Sequence, residues 1–248
     1  MTKWVLNTIA FDQLLRAGSL KQADIPGLLA DFNFSAIEYR SEYFAADEDY
    51  QALAQAGQAA DLAIFLSIPD KLFLDGRLND QIENYFKLGQ AVGASQIKLN
   101  LGLYFEEMVG PEIDRIQELV KNYEIKLVVE NDQTQATGST EYFHDFMINY
   151  GFIGLATCFD VGNFLYIDEN PLAAWNRLKD QTAYMHLKQV EKASLTTLFG
   201  LQAGDVPLKA ILNQVPADLP VALEAAYQAD QVNDVLAGLK ADLQLLTD

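Results

Sequence analysis

Four apolar runs in the second half of the chain each carry, at or near their ends, a side chain of a type that binds divalent cations. VVEN brings Glu130 and Asn131, CFDVGN brings Asp160 and Asn163, YMHLKQ brings His186 and Lys188, and VALEA brings Glu224. An ionised carboxylate at the end of an apolar run is costly unless it is paired or metal-bound. The ordered set Glu, Asp, His, Glu is oxygen-rich and hard. It suits Mn²⁺ or Mg²⁺, with Co²⁺, Fe²⁺ and Zn²⁺ also within its chemistry. A cation held there would act as a Lewis acid on a ligand oxygen. Two earlier runs add charge: IEYR places Glu38 and Arg40 on one face, and QIKLNLG carries Lys98 and Asn100. Lys188 follows His186 by two residues, so both side chains point to the same side of a strand.

These residues need a scaffold that gathers strand ends. Short β-rich runs alternate with amphipathic stretches along the whole chain. The expected strands are residues 4–9, 36–40, 62–68, 96–101, 126–131, 153–160, 183–189 and 220–225. Several, such as LAIFLSI and KLVVE, are near-continuous apolar runs, as expected of parallel strands buried on both faces. Between them lie helical patterns: 78–92, a helix opened by Pro111, another opened by Pro171, one after Asp205-Val206-Pro207 through Leu212, and a last one from Val232. Eight β-then-α units in 248 residues average about 31 residues each. Strict eightfold alternation predicts a single (β/α)8 TIM barrel spanning 1–248 as one domain, with function at the carboxyl ends of the strands. GxGxxG and GxxxxGK[ST] phosphate loops are absent from the sequence, against a nucleotide-binding α/β fold.

Bulk properties narrow the partners. A net charge of −18 repels a phosphate backbone and an anionic membrane surface, so neither nucleic acid nor membrane is an expected partner. The one cysteine, Cys158, excludes an intrachain disulfide and reads as a buried, inert thiol. The start MTKWVLNTIAFDQLL lacks an apolar core followed by a small-residue cleavage site, and no apolar run reaches the ~18 residues that span a bilayer. The expected compartment is the cytoplasm. His144 falls on an exterior helical pattern. Phe11, Tyr43, Phe44 and Tyr104 read as packing residues that could also wall a pocket.

The segments VVEN, FDVGN, HLK, GDVPLKAIL and VALE together resemble the xylose-isomerase-like sugar (phosphate) isomerase/epimerase superfamily, over essentially the whole chain. The resemblance implies metal ligation by Glu130, Asp160, His186 and Glu224. It also implies that Glu130 and Glu224 are the acid/base pair, and that Mn²⁺ is the metal in several members. Elementary chemistry agrees: a metal on a carbonyl oxygen and its neighbouring hydroxyl stabilises an enediolate, while one carboxylate removes the proton and another returns it. Arg40, Lys188, Glu38, Lys98 and Asn163 are then candidates for binding substrate. Two positions depart from the pattern. Gln189 stands where an Asp often follows HLK, and Asn163 stands where some ketose epimerases have a substrate-contacting His.

The expected function is isomerisation or epimerisation of a small sugar, sugar phosphate or polyol ketone. An inosose-type dehydratase and a non-catalytic ligand-binding barrel are the alternatives. Repair of abasic DNA, which shares the fold in outline, is disfavoured by the charge and by a total of two histidines. Dimers and tetramers are common in proteins of this resemblance, which leaves a homo-oligomer open.

Overall fold

In the computed structural model of the chain the described residues are 2–151 and 154–247, without the side chains of residues 106–111. Eight parallel strands close a barrel: β1 (Lys3–Asn7), β2 (Phe34–Arg40), β3 (Ala63–Leu78), β4 (Gln96–Tyr104), β5 (Lys126–Glu130), β6 (Leu155–Asp160), β7 (Thr182–Leu187) and β10 (Pro220–Leu223). Two two-residue strands, β8 (Val190–Glu191) and β9 (Thr196–Thr197), form a small antiparallel ribbon beyond β7. The expected eightfold barrel is therefore present, each strand pairing with its sequence neighbours and β10 closing onto β1.

Helices cover the outside. The main ones are α2 (Tyr50–Ala59), α3 (Ile82–Ala91), α4 (Glu106–Tyr123), α5 (Thr140–Tyr150), α7 (Pro171–Leu178) and α9 (Val232–Thr247), with shorter α1 (Asp12–Arg16), α6 (Asn163–Tyr166) and α8 (Leu208–Leu212). Their starts follow local chemistry. Asp49 and Ser139 accept hydrogen bonds from the backbone N–H groups of Ala52 and Tyr142. Asn170 caps α7 by accepting from Leu172 N and Ala173 N, and Pro171 takes the first helical position as expected. α4 begins at Glu106 rather than at Pro111, and Ile153, the expected start of the sixth strand, lies outside the described residues.

Two apolar regions follow. A large shell lies between strands and helices, with Trp175, Tyr39, Phe86, Phe143 and Phe159 fully buried. A small layer inside the barrel comprises Val5, Ala36, Phe65, Val128, Cys158, Tyr184 and Ala222. That layer floors the polar mouth above it.

The largest departure from the sequence reading is at β3 and β4. β3 runs to Leu78 rather than Ile68 and β4 to Tyr104, with Lys71, Phe73 and Gly76 registered against Asn100, Gly102 and Tyr104. Asp75 and Gly76 have φ of 49° and 82°, and Asn79 N donates to Leu72 O. An Asp-Gly pair takes such left-handed conformations readily and turns the chain back on itself. Leu78 therefore belongs to this extension, and the helix begins only at Ile82.

Candidate metal centre at the barrel mouth

The carboxyl ends of the strands converge on a buried polar cluster. Glu130 ends β5 and Asp160 ends β6. His186 lies in β7, registered beside Asp160 on one side and Ala222 on the other. Glu224 follows β10, its backbone N–H continuing the ladder to Leu187 O. One ligand atom from each of Glu130, Asp160, His186 and Glu224 lies within 4.8 Å of the others. The sequence expectation that these four come together is met in this arrangement.

Each carboxylate has one oxygen held by the protein. Lys98 Nζ donates to Glu130 Oε2 at 2.6 Å, and Arg40 Nη1 donates to Glu224 Oε1 at 2.8 Å. Asp160 Oδ1 accepts from Gly162 N at 2.9 Å and Asn163 N at 3.3 Å. The opposite oxygens, Glu130 Oε1, Asp160 Oδ2 and Glu224 Oε2, are buried without an aligned hydrogen bond, as is His186 Nδ1. His186 Nδ1 nevertheless lies 2.7 Å from Glu130 Oε1 and 3.4 Å from Glu224 Oε2. Carboxylate and imidazole atoms packed this closely make a place for positive charge. Lys188 Nζ supplies part of that charge, 2.5 Å from Asp160 Oδ2 and 3.7 Å from Glu224 Oε2. The donor set, three carboxylate oxygens and an imidazole nitrogen, fits a divalent ion.

The surroundings hold the cluster still. Glu38 Oε2 accepts from Asn7 Nδ2 at 2.6 Å and lies 2.9 Å from His186 Nε2, behind the imidazole. The Tyr184 ring packs edge-on to His186, with centroids 4.9 Å apart. Asn131 clamps the Asp160 backbone twice, its Nδ2 donating to Asp160 O and its Oδ1 accepting from Asp160 N. Asn163 Nδ2 donates in turn to Asn131 O at 2.6 Å.

Charges shift accordingly. Burial opposes ionisation of Glu130, but the Lys98 ammonium and His186 outweigh it and hold the carboxyl at about 2. Burial likewise opposes ionisation of Glu224, and His186, Lys188 and Arg40 together push it well below the usual carboxylate range. At Asp160 burial wins: with Glu224 and Glu130 nearby it raises the carboxyl to about 7 against the pull of Lys188. Burial works against charge on His186 too, but the acidic neighbours Cys158, Glu38, Glu224 and Glu130 raise it well above its ordinary value. Burial pushes the Cys158 thiol up to about 12.

The candidate substrate residues all have protein partners. Glu38 faces His186, while Arg40 reaches Glu224 and Glu42. Lys98 and Lys188 are committed to Glu130 and Asp160. Asn163 keeps Oδ1 unpartnered but uses its amide nitrogen structurally. Gln189 turns away from the cluster and pairs with both the N–H and the C=O of Val206. Phe11 and Tyr104 are core residues, and Tyr43 donates to Asp12 beneath the Arg16 guanidinium. Asn7 was missed by the sequence reading, although as the last residue of β1 it occupied the same kind of position as the others. A cleft of about 580 Å³ lined by Leu29, Phe32, Phe34 and Leu62 opens near the amino-terminal ends of β2 and β3 and has no part in this chemistry.

Solved proteins described as xylose-isomerase-like barrels are among this chain's structural neighbours, and they share its closed eight-stranded fold. A xylose isomerase domain containing protein from Salmonella typhimurium LT2 superposes with a TM-score of 0.79 at 15% identity, over 100% of this chain and 98% of that one. The IolI protein with a bound zinc atom matches at 0.74 and 13% identity, over 99% and 98%. The probable 3-DHS dehydratase AsbF from Bacillus anthracis matches at 0.72 and 16% identity, over 100% and 99%. At such identities the likeness establishes the fold alone. No protein-family model and no curated protein sequence matches the chain.

Proposed function

We propose that residues 1–248 form one catalytic domain, a divalent-metal-dependent isomerase or epimerase of a small sugar, sugar phosphate or polyol ketone. The observation that carries this reading is the convergence of four buried atoms without an aligned hydrogen bond: Glu130 Oε1, Asp160 Oδ2, His186 Nδ1 and Glu224 Oε2. Glu130, Asp160, His186 and Glu224 would hold the ion, with Mn²⁺ the preferred metal for so oxygen-rich a set. When bound, the ion supplies positive charge beside a carbonyl oxygen and an adjacent hydroxyl, where an enediolate concentrates negative charge.

The chain supplies the proton traffic. Glu130 and Glu224 project from β5 and from the end of β10, so they flank a substrate from different strands. Each is anchored through one oxygen by a cationic side chain, and the lone pairs not given to the ion would exchange a proton at carbon. One carboxylate removes the proton next to the carbonyl. The other returns one, to the neighbouring carbon or to the opposite face. Arg40 and Lys188, already paired with Glu224 and Asp160, would orient substrate oxygens, and Lys98 would keep Glu130 ionised.

The substrate would be a small carbohydrate in the cytoplasm, consistent with neighbours that include 3-keto-D-glucoside 4-epimerase and L-ribulose 3-epimerase. An inosose-type dehydratase is the second reading, supported by the likeness to the probable 3-DHS dehydratase AsbF. It shares the first proton removal and then expels hydroxide. The test is a panel of ketoses, ketose phosphates and inososes in D₂O with Mn²⁺. Deuterium is expected at carbon with wild type and at background with Glu224→Gln. Exchange that persists in Glu224→Gln contradicts the acid/base assignment.

A further inference from the structure

Two of the four mouth ligands also belong to a second set. The ligand atoms of Glu130, Cys158 and His186 lie within 4.8 Å of one another, and all three residues are buried. Cys158 is registered against Glu130 across the β5–β6 ladder. It precedes Asp160 by two residues, so it faces the same inner side of β6, nearer the barrel floor. Its companions in that layer are Val5, Ala36, Phe65, Val128, Tyr184 and Ala222, none of which is a metal donor at this depth except the Tyr184 phenol. Glu130 Oε1 and both ring nitrogens of His186 are buried and lack aligned hydrogen bonds. The thiol is thus not alone: a buried carboxylate oxygen and a buried imidazole nitrogen without aligned hydrogen bonds accompany it.

We propose that Glu130, Cys158 and His186 form an inner metal position beneath the mouth, selective for a thiophilic divalent ion such as Zn²⁺, Co²⁺ or Cd²⁺. This rests on the reading of the mouth as a metal centre, because Glu130 and His186 serve both positions. The two sets differ in softness. The mouth offers three carboxylates and an imidazole, which favour Mn²⁺ and Mg²⁺. The inner set exchanges Asp160 and Glu224 for one sulfur, and thiolate selects zinc-like ions. Binding there replaces the S–H bond of Cys158 by a sulfur–metal bond and releases one proton to solvent, with no change of oxidation state. Because Glu130 and His186 are shared, one chain holds one ion at a time. An ion at the inner position lies farther from the open end of the barrel than one at the mouth. The identity of the metal therefore decides its depth, and zinc-like ions act as competitive inhibitors of Mn²⁺ loading.

The test is a titration of metal-free protein with Co²⁺, read in the near ultraviolet and visible. The expected result is one Co²⁺ per chain with an intense thiolate-to-cobalt charge-transfer band, lost in Cys158→Ser and Cys158→Ala and retained in Asp160→Asn. Both cysteine variants should still bind one Mn²⁺, while their Zn²⁺ affinity falls by about tenfold or more. The wild-type spectrum decides without relying on any variant. Co²⁺ bound with weak ligand-field bands alone overturns the inner position and leaves the mouth centre standing. A chain that takes up neither Co²⁺ nor Mn²⁺ overturns both.

Discussion

Glu38 separates two accounts of the mouth, and Glu38→Gln is the perturbation that distinguishes them. In the sequence it stands beside Arg40 as a residue for substrate. In the structure it is fully buried, held by Asn7 at 2.6 Å and set 2.9 Å from His186 Nε2. A carboxylate behind a ligating imidazole fixes its tautomer and raises its basicity, and losing such a partner typically costs about 10–100-fold in metal affinity. That range corresponds to roughly 1.4–2.7 kcal/mol. The amide keeps the volume and can still meet Asn7, so the fold should survive. Mn²⁺ affinity is measured by competition with a chromophoric chelator, and the KM for whichever ketone shows exchange is measured at saturating Mn²⁺. Affinity should drop within that range while KM at saturating metal stays near wild type. Unchanged Mn²⁺ affinity with a raised KM would refute the positioning role and restore Glu38 to the substrate.

Three further outcomes are expected. Gln189→Ala removes both hydrogen bonds to Val206, which are 3.0 and 3.1 Å long, and strands two backbone groups; it should lower stability by roughly 2–4 kcal/mol in denaturant melts yet leave Mn²⁺ affinity unchanged. A loss of metal affinity there would return Gln189 to the neighbourhood of the ion. Lys98→Met tests the charge on Glu130, whose folded value of about 2 lies below the ordinary ~4.3. A depressed carboxyl contributes stability that is complete above its unfolded value and is lost as pH falls through the folded one. Without Lys98 the folded value rises, so acid unfolding of metal-free protein, followed by circular dichroism, should move to higher pH; a midpoint that stays or falls contradicts this. Gly102→Ala should disrupt the β3–β4 extension, because φ is +74° and a Cβ would stand 2.1 Å from Phe73 O. It should cost more than Gly18→Ala, where φ is +68° in open space and strain of roughly 1–3 kcal/mol acts alone. Equal melting temperatures for the two variants would argue against that contact.

The barrel was legible because its strands are apolar on both faces and its helices carry their own caps, as at Pro171 and Asn170. The four ligands were legible because charge at the end of an apolar strand is expensive and stands out. The pairing among them was not. Arg40 meets Glu224 across 184 residues, and Glu38 meets His186 across the barrel. Gln189 illustrates the same limit: the sequence marks it as a missing carboxylate, while its amide proves to be a clamp on the Val206 backbone. The expected strand over 62–68 covers less than half of β3, which runs on to Leu78. The Asp75-Gly76 pair that reverses the chain was a signal available in the sequence.

The central claim is that the mouth of the barrel binds one divalent cation through Glu130, Asp160, His186 and Glu224. Metal content after equilibrium dialysis against Mn²⁺ tests it most directly, by comparing wild type with an Asp160→Ala/His186→Ala double variant shown to be folded by circular dichroism. The account predicts one Mn²⁺ per wild-type chain and none in the double variant. Wild-type protein that emerges without metal, or a double variant that retains it, would contradict the account.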